Sequence, residues 1–305
     1  MTLSALLVSL LPLGWAVDVP ATWATELAEW RRAREADLKK EDGYLAVAGL
    51  YFLHTGTNLV GSDPSADVVL PADALPAVAG RIVVSGGAVD YHPTAGVKAQ
   101  VNGRLISRPM TLRLADSAAA RPADLLTLGR LTLHLHLSGE RLAVRIRDPE
   151  SESRRSFTRL EWFDPDPRWR ITGTFVPFDA PRPVPVENIL GDVADSTAPG
   201  EIEATIAGTT VRLLALSAAR GRLWIVFSDH TGGKLTYPIR FLYTDPPDAS
   251  GAVVLDFNRA YNAPCAYNPY TTCPLPPGQN KLAVAVPAGE RDYTGPKPKA
   301  PGTRG

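Results

Sequence analysis

The stretch RLTLHLHLSGERLAVRIRD, residues 130–148, contains two segments in which apolar and polar side chains alternate. This period of two is typical of a β-strand that buries one face, and Gly139 lies between the segments, where glycine suits a tight turn. His134 and His136 share one face of the first strand, while its leucines share the other. The stretch therefore predicts two strands joined by a turn.

Short segments of the same kind fill the rest of residues 43–148. They are YLAVAGLYFL, ADVVLP, GRIVVSG, AVDYHP, VKAQVNGRLI, MTLRLA and LTLG. The 28 prolines and 25 glycines of the chain are dispersed, which favours frequent turns over a helical bundle. So dense a series of short strands predicts a β-sandwich over residues 43–148.

The composition indicates a globular protein and argues against nucleic-acid binding. The chain has 305 residues, 45% of them hydrophobic, and its 32 basic and 32 acidic side chains leave a formal net charge of zero. A neutral chain has no long-range field that would concentrate nucleic acid, and no stripe of Lys and Arg interleaved with aromatic residues is present. Nucleic acid is therefore not an expected partner.

The N-terminus, MTLSALLVSLLPLGWAVDVP, has an apolar run from Leu3 to Leu13 and small residues at Gly14 and Ala16. This pattern predicts a signal peptide of residues 1–16 and an extracytoplasmic protein, although no Lys or Arg precedes the apolar run. A cytoplasmic protein is the alternative. No stretch reaches the roughly 18 uninterrupted apolar residues of a membrane helix, so we expect no integral membrane segment in the mature chain.

Residues 22–42 have the pattern of an amphipathic helix. Four apolar residues fall near one face, with Glu and Arg elsewhere, and Gly43 ends the pattern. They are Trp23, Leu27, Trp30 and Leu38. A helix of mixed charge that docks on a β-core is the expected outcome. At the other end of the chain, residues 291–305 are rich in Pro, Gly and Lys and predict a flexible tail.

The segments GTNLVGSDPSADVVLP, AVAGRIVV, VNGRLI and LLTLGRLTLHL occur in an order that resembles a forkhead-associated domain, a β-sandwich that binds phosphothreonine peptides. Ser62 stands where that family has a phosphate-binding Arg, and Pro76, Ala77 and Gly80 occupy the region of its Ser and His. Only the Asn-Gly of residues 102–103 matches, and a hairpin turn explains it equally well. The resemblance implies the fold and not phosphopeptide binding, since a phosphate needs an Arg clamp.

The second half, residues 149–290, is also predicted to be β-rich. It contains EIEATIAG, TTVRLLALSA, RLWIVFSD, TYPIRFLY and AVVLDFN, and it begins with a concentration of aromatic residues around Trp162 and Trp169. Its closing motif, DFNRAYNAPCAYNPYTTCPLPP at residues 256–277, follows no helical or strand period. Its Asn, Tyr and Pro residues indicate a loop ordered by specific contacts, and it is our first candidate for a site.

This closing motif resembles that of the domain of unknown function 1684 (DUF1684) family. Four further segments and the tripeptide AGE agree with the family in order; the segments are EWRRAREADL, GYLAVAGLYFL, RLEWFDPDPRWRI and FSDHTGGKLTYPIRFL. The resemblance covers roughly residues 30–290 and implies no established reaction. In FSDHTGG and the strand after it, Asp229, Thr231, Gly232, Tyr237 and Arg240 match the family pattern.

Three carboxylates are the candidate catalytic residues. Asp229 follows an apolar strand, Asp256 ends another, and Glu290 closes the AGE tripeptide. Charged groups at the ends of strands are often functional, and Arg240 or Arg259 could supply the counter-charge. The alternative for each is a structural role, as a turn acceptor or an ion pair. No GxSxG, HExxH, Walker loop or GxGxxG motif supports a particular reaction.

No metal site or cofactor is predicted from the sequence. His134 and His136 could begin a zinc site, but nothing indicates a third ligand, so a half-buried strand face is preferred. Cys265 and Cys273 are too far apart for a CxxC site. In an exported protein they predict a disulfide that pins the closing loop, whereas in the cytoplasm they would be reduced thiols.

Two functions of different class follow from the sequence. The first is a non-catalytic module that binds a small polar or sugar-like ligand at the C-terminal β-region. The second is a hydrolase-like enzyme in which Asp229, Asp256 or Glu290 performs acid-base chemistry. The candidate binding residues are Thr231, Tyr237, Arg240, Asn258, Arg259, Tyr261, Asn262 and Tyr267.

Overall fold

The computed structural model describes residues 19–116 and 119–297. The predicted signal peptide of residues 1–16 therefore lies outside the described residues, as do residues 298–305 of the predicted tail. Within the described ranges, neither α-helix combines the length and the apolar character needed to cross a membrane.

The predicted N-terminal helix is confirmed as α1 (Trp23–Lys39), and a second, short helix is α2 (Glu152–Ser156). Trp23, Leu27 and Leu38 of α1 are buried, as the spacing predicted, whereas Trp30 is only half-buried. Helix α1 ends just before Gly43, where a side chain would meet the backbone oxygens of residues 37 and 38 at 2.5 and 2.6 Å. The chain can therefore turn back onto the end of α1 because residue 43 has no Cβ.

The predicted sandwich is confirmed. Its strands are β1 (Val47–Phe52), β2 (Gly56–Gly61), β3 (Val68–Val69), β4 (Gly80–Ser85), β5 (Ala88–Pro93), β6 (Ala99–Val101), β7 (Arg104–Ile106), β8 (Met110–Thr111), β9 (Leu126–Leu128), β10 (Leu131–Ser138) and β11 (Arg141–Arg147). They form a six-stranded sheet in the order β1-β11-β10-β9-β6-β7 and a five-stranded sheet in the order β3-β2-β4-β5-β8. One apolar core holds side chains of both sheets, including Ile82 and Tyr91 of one and Leu133 and Val144 of the other.

Strand β10 shows how the alternation of residues 130–148 becomes structure. Leu133 and Leu135 are buried in the sandwich core, whereas His134 and His136 are half-buried on the outer face. His134 pairs across the sheet with Arg145 of β11. Leu137, on the same face as Leu133 and Leu135, is 48% exposed; it pairs with Leu142, one pair before the end of the hairpin.

The remaining strands form one seven-stranded antiparallel sheet in the order β17-β12-β13-β14-β15-β16-β18. They are β12 (Arg170–Glu187), β13 (Val193–Ile206), β14 (Thr209–Ser217), β15 (Leu223–Phe227), β16 (Arg240–Thr244), β17 (Ala252–Asp256) and β18 (Tyr261–Asn262). The sheet curls until β17, at one end, contacts β16, near the other. An apolar core that includes Ile202, Leu242 and Leu255 fills the concave side.

A smaller apolar cluster joins the parts of the molecule. It combines Leu38 of α1 and Leu45 with Tyr267 and Tyr293 of the C-terminal region. Helix α1 thereby packs against the C-terminal region, and its residues Trp30 and Arg34 lie near the line along which β16 and β17 meet.

Candidate functional site

Asp229 is bound within a buried network and is not open to a ligand. Its carboxylate accepts hydrogen bonds from Thr231 N at 2.8 Å, from Thr231 Oγ1 at 2.5 Å and from Val286 N at 3.1 Å. Arg240 Nη1 donates to it at 2.8 Å, and both side chains are 0% exposed. Arg240 also donates to the carbonyls of Val286 and Ala288. Asp229 and Arg240 therefore hold the β15–β16 turn against the C-terminal segment.

Asp256 connects the closing motif to helix α1. It accepts hydrogen bonds from Trp23 Nε1 at 2.8 Å and from Asn258 Nδ2 at 3.0 Å. Asn258 also donates to the carbonyl of Asp166 at 2.9 Å. Arg259 Nε lies 3.8 Å from the Asp256 carboxylate. Asp256 thus docks α1 on the sheet, a contact between residues more than 230 positions apart in the chain.

Glu290 lies in a second buried network beside α1. Its carboxylate accepts hydrogen bonds from Asn262 Nδ2 at 3.0 Å and from the hydroxyl of Tyr267, and Arg34 Nε lies 4.0 Å away. Burial raises the pKa of Glu290 to about 6, although Arg34 and Tyr267 oppose the shift. A carboxylate with this pKa could transfer protons, but at 1% exposure Glu290 is out of reach of a substrate.

The raised pKa of Glu290 predicts a pH dependence of stability. Because the buried carboxyl prefers its proton, it contributes stability that is fully present below pH 4.5, its ordinary pKa, and is lost as the pH rises through about 6. The loss is about 2 kcal/mol, at roughly 1.4 kcal/mol for each pKa unit. Urea unfolding of the wild type and of Glu290→Gln at several pH values measures it. The difference in free energy of unfolding between the wild type and Glu290→Gln should change between pH 4.5 and about 6. The exposed control Glu29→Gln should show the same pH profile as the wild type. Identical pH profiles for the wild type and Glu290→Gln would contradict the assignment.

The structure separates the predicted binding residues into two groups. Thr231, Arg240, Asn258, Asn262 and Tyr267 are buried and bonded to protein groups, and Tyr237 is half-buried against the cysteine pair. Arg259 and Tyr261 line a cleft. The closing motif therefore supplies few groups that a ligand could touch and many that hold α1 and the C-terminal segment in place.

Cys265 and Cys273 are free thiols in the structure, so the predicted disulfide is not formed there. The two residues are nevertheless adjacent, since Cys265 N donates to Cys273 Sγ at 3.1 Å. Hydrogen bonds from Cys273 and Tyr237 lower the pKa of Cys265, despite its burial. Burial raises the pKa of Cys273. The disulfide stays a prediction that depends on the compartment of the protein.

The histidine pair forms no metal centre among the described residues, where no three His, Cys, Asp or Glu side chains converge. His136 Nε2 lies 3.0 Å from Arg145 Nη2 and 3.1 Å from Thr272 Oγ1. Burial, reinforced by neighbouring arginines, lowers the pKa of His134 and of His136 to about 4. Both rings are therefore neutral near pH 7.

An open cleft of about 940 Å³ lies between helix α1 and the line where β16 meets β17. We call it the α1 cleft. Helix α1 contributes Trp30 and Arg34, and the sheet side contributes Arg222, Tyr243 and Tyr261. Acidic side chains, Asp256 among them, also reach its walls. The other lining residues are Pro20, Trp23, Glu26, Ala33, Asp37, Arg170, Thr172, Thr244, Asp245, Pro246, Asp248, Ala252, Val254 and Arg259.

A ladder of three aromatic rings borders this cleft, and two of the rings, Tyr243 and Tyr261, line it. Trp224 stacks on Tyr243 with ring centroids 6.0 Å apart, and Tyr243 stacks on Tyr261 at 6.5 Å. The guanidinium of Arg222 lies 4.8 Å from the Tyr243 ring, and that of Arg34 lies 4.3 Å from the Tyr261 ring. Stacked rings and guanidiniums restrict each other, so the polar edges of the ladder are held in fixed positions.

Sequence reasoning missed Arg34, Arg222, Trp224 and Tyr243. Trp224 and Tyr243 are cross-strand partners in β15 and β16, on the face opposite the buried Ile225 and Leu242. Their position in the alternation was a usable signal, because large aromatic side chains on the outer face of a strand need a covering element or a ligand.

The chain matches a family model and several solved structures, among them an NMR structure and a crystal structure. The model of the family described as protein of unknown function (DUF1684) matches residues 155–291. The solution NMR structure of an uncharacterised protein of Haloarcula marismortui is 32% identical, over 45% of this chain and 78% of that one, with a TM-score of 0.38. The crystal structure of the FhaA FHA domain, complexed with the intracellular domain of Rv3910, is 18% identical over 32% of this chain and 97% of that one, with a TM-score of 0.22. No curated protein matches the chain.

Proposed function

Through residues 155–291 the chain belongs to the DUF1684 family of proteins of unknown function, and we propose that it binds a small polar or sugar-like ligand in the α1 cleft. The proposal is supported by one observation above all. The cleft combines a size suited to a small molecule with a rigid ladder of rings. An arginine guanidinium packs against the rings of Tyr243 and Tyr261 in this ladder.

The polar edges of the ladder suit hydroxyl groups. Tyr hydroxyls both donate and accept hydrogen bonds, and guanidinium groups donate several in a fixed plane. Tyr243, Tyr261 and Trp30 are half-buried, so each presents part of its surface to the cleft. A ligand rich in hydroxyl groups would satisfy such a surface, whereas an apolar ligand would leave its donors unpaired.

The hydrolase alternative has less support. Asp229 and Glu290 are enclosed in separate hydrogen-bond networks, each with partners for its carboxylate oxygens. Asp256 alone of the three lines the α1 cleft, and Trp23 and Asn258 already bind it. Hydrolysis by the predicted carboxylates would need two of these three to face one substrate.

Replacement of Tyr243 by alanine is expected to weaken ligand binding by about tenfold or more, because it removes the middle ring of the ladder. Isothermal titration with D-glucose, maltose, D-glucuronate and inorganic phosphate tests this. Phe52→Ala is the matched control. The Phe52 ring is exposed on strand β1 and does not line the cleft, and the guanidinium of Arg141 lies 3.8 Å from its centroid. Equal affinities of the two variants for a probe would show that the ligand binds outside the cleft. Wild-type protein that binds no probe would overturn the proposal.

We also propose that the protein is exported and that Cys265 and Cys273 form a disulfide in the mature protein. The apolar N-terminus and the adjacency of the two thiols support this. Intact mass of protein from its native host, before and after thiol alkylation, tests both parts. A full-length chain with two alkylated thiols would refute them.

A further inference from the structure

A second, smaller cavity of about 220 Å³ lies where helix α1, the sandwich and the seven-stranded sheet meet. We call it the junction cavity. Arg34 reaches it from α1, Arg145 from β11, and Trp224 from β15, with Thr272 on the closing loop. It shares Arg34, Tyr243 and Tyr261 with the α1 cleft, so the two spaces adjoin.

Three side chains that line the junction cavity each contain a buried donor with no hydrogen-bond acceptor among the described residues. The donors are Arg34 Nε, Arg145 Nε and Trp224 Nε1. The side chain of Arg34 is 13% exposed, and its Nε is 4.0 Å from Glu290, beyond hydrogen-bond distance. A buried donor without a partner costs about 1–3 kcal/mol, and more when the group is charged. Three such donors in side chains that line one small cavity indicate a missing acceptor nearby.

The positive charge of Arg145 is not balanced by any described carboxylate. Its hydrogen bonds go to His136 and to the hydroxyl of Thr272, both neutral groups. Arg147, close to Arg145 on β11, adds positive charge, and no Asp or Glu lines the cavity. Burial lowers the pKa of Arg145, which reflects this lack of a counter-charge. Folding that buries an unpaired cation is unfavourable unless an anion accompanies it.

We infer that the junction cavity binds an oxyanion, the acidic group of a ligand whose remainder lies in the α1 cleft. This inference rests on the proposed function and names its ligand class. The junction cavity, at about 220 Å³, has room for a carboxylate, phosphate or sulfate group. For comparison, one water molecule takes about 30 Å³ of liquid volume. Arginines bind such groups by charge-assisted and often bidentate hydrogen bonds. The acidic group of a sugar and free inorganic phosphate are two sources of this chemistry.

D-Glucose and D-glucuronate form a matched pair of probes, because they differ at one carbon, where the second carries a carboxylate. Titration calorimetry at constant ionic strength is carried out with both sugars and with inorganic phosphate. The proteins are the wild type, Arg145→Met and Arg104→Met, a control on the exposed strand β7. We expect the wild type to bind glucuronate about tenfold or more tighter than glucose, as one charge-assisted contact allows. Arg145→Met should abolish this preference, and Arg104→Met should keep it.

Each outcome separates the inference from the proposed function. Phosphate binding that Arg145→Met abolishes, without glucuronate binding, would support the oxyanion site with the free ion as its source. Equal affinity of the wild type for glucose and glucuronate, with no phosphate binding, would overturn the inference and leave the proposed function. Failure of every probe to bind the wild type would overturn both. Because Arg145→Met replaces a half-buried charge that has no carboxylate partner among the described residues, it should fold at least as stably as the wild type. If Arg145→Met does not fold, a competition titration of the wild type is used instead. Phosphate should displace glucuronate if both bind the same oxyanion site.

Discussion

Replacing Arg240 by alanine is expected to lower the free energy of unfolding by about 3–5 kcal/mol, which is typical of breaking a buried ion pair. The carboxylate of Asp229 would remain at 0% exposure without its cation. The carbonyls of Val286 and Ala288 would lose their donors as well. Urea unfolding at neutral pH measures the loss.

The surface pair of Arg212 and Glu203 is a suitable control for this variant, since Arg212 is 67% exposed. Arg212→Ala should change stability by less than about 1 kcal/mol. The double variant Asp229→Leu/Arg240→Met should be less destabilised than the sum of its single variants, because neither charge is then left alone. A loss of under about 1 kcal/mol for Arg240→Ala would show that water or another group replaces the guanidinium.

Replacing Gly289 by alanine is expected to cost about 2–4 kcal/mol, from backbone strain and from overpacking. Gly289 has a φ of +80°, and an added Cβ would lie 2.3 Å from the carbonyl oxygen of Ala260 and 2.7 Å from that of Phe257. These oxygens belong to the closing motif, so the backbone itself would have to move. Thermal and urea unfolding measure the loss.

Gly208 provides a matched control for Gly289, because it has the same φ of +80° but no atom within 4 Å of an added Cβ. Gly208→Ala should therefore cost only about 1 kcal/mol, from backbone strain alone. Equal losses for the two variants would mean that the close approach of residues 257–260 contributes nothing. The comparison isolates the packing of the AGE tripeptide against the closing motif.

The two β-units could be predicted because their signal is local. In β10 the alternation of leucine and histidine separates a buried face from a half-buried one, and neighbours two residues apart suffice to show it. The spacing of Trp23, Leu27 and Leu38 predicted the buried face of α1 in the same way. The Asn-Gly of residues 102–103 has positive φ at both positions, as a hairpin turn requires.

The candidate site was only partly predictable, because the roles of its residues depend on partners that are distant in sequence. The closing motif was selected for its polar side chains. In the structure, those of Asp256, Asn258, Asn262 and Tyr267 form hydrogen bonds with Trp23, Asp166 and Glu290. The sequence does not show whether a polar side chain forms its hydrogen bonds with another protein group or with a ligand. The same limit applies to Arg145, because nothing in RLAVRIRD shows that no described carboxylate pairs with its guanidinium in the folded chain.

The sequence by itself determined the strands, the helix, the sandwich and the family resemblance of this protein. Only the tertiary structure decided that Asp229, Asp256 and Glu290 lie in separate networks, and that Arg34, Arg145 and the Trp224–Tyr243–Tyr261 ladder surround adjoining cavities. The physical reason is the range of the forces involved. Periodic burial shapes each element from its near neighbours, whereas hydrogen bonds and ion pairs act over a few ångströms and depend on which elements the folded chain brings together.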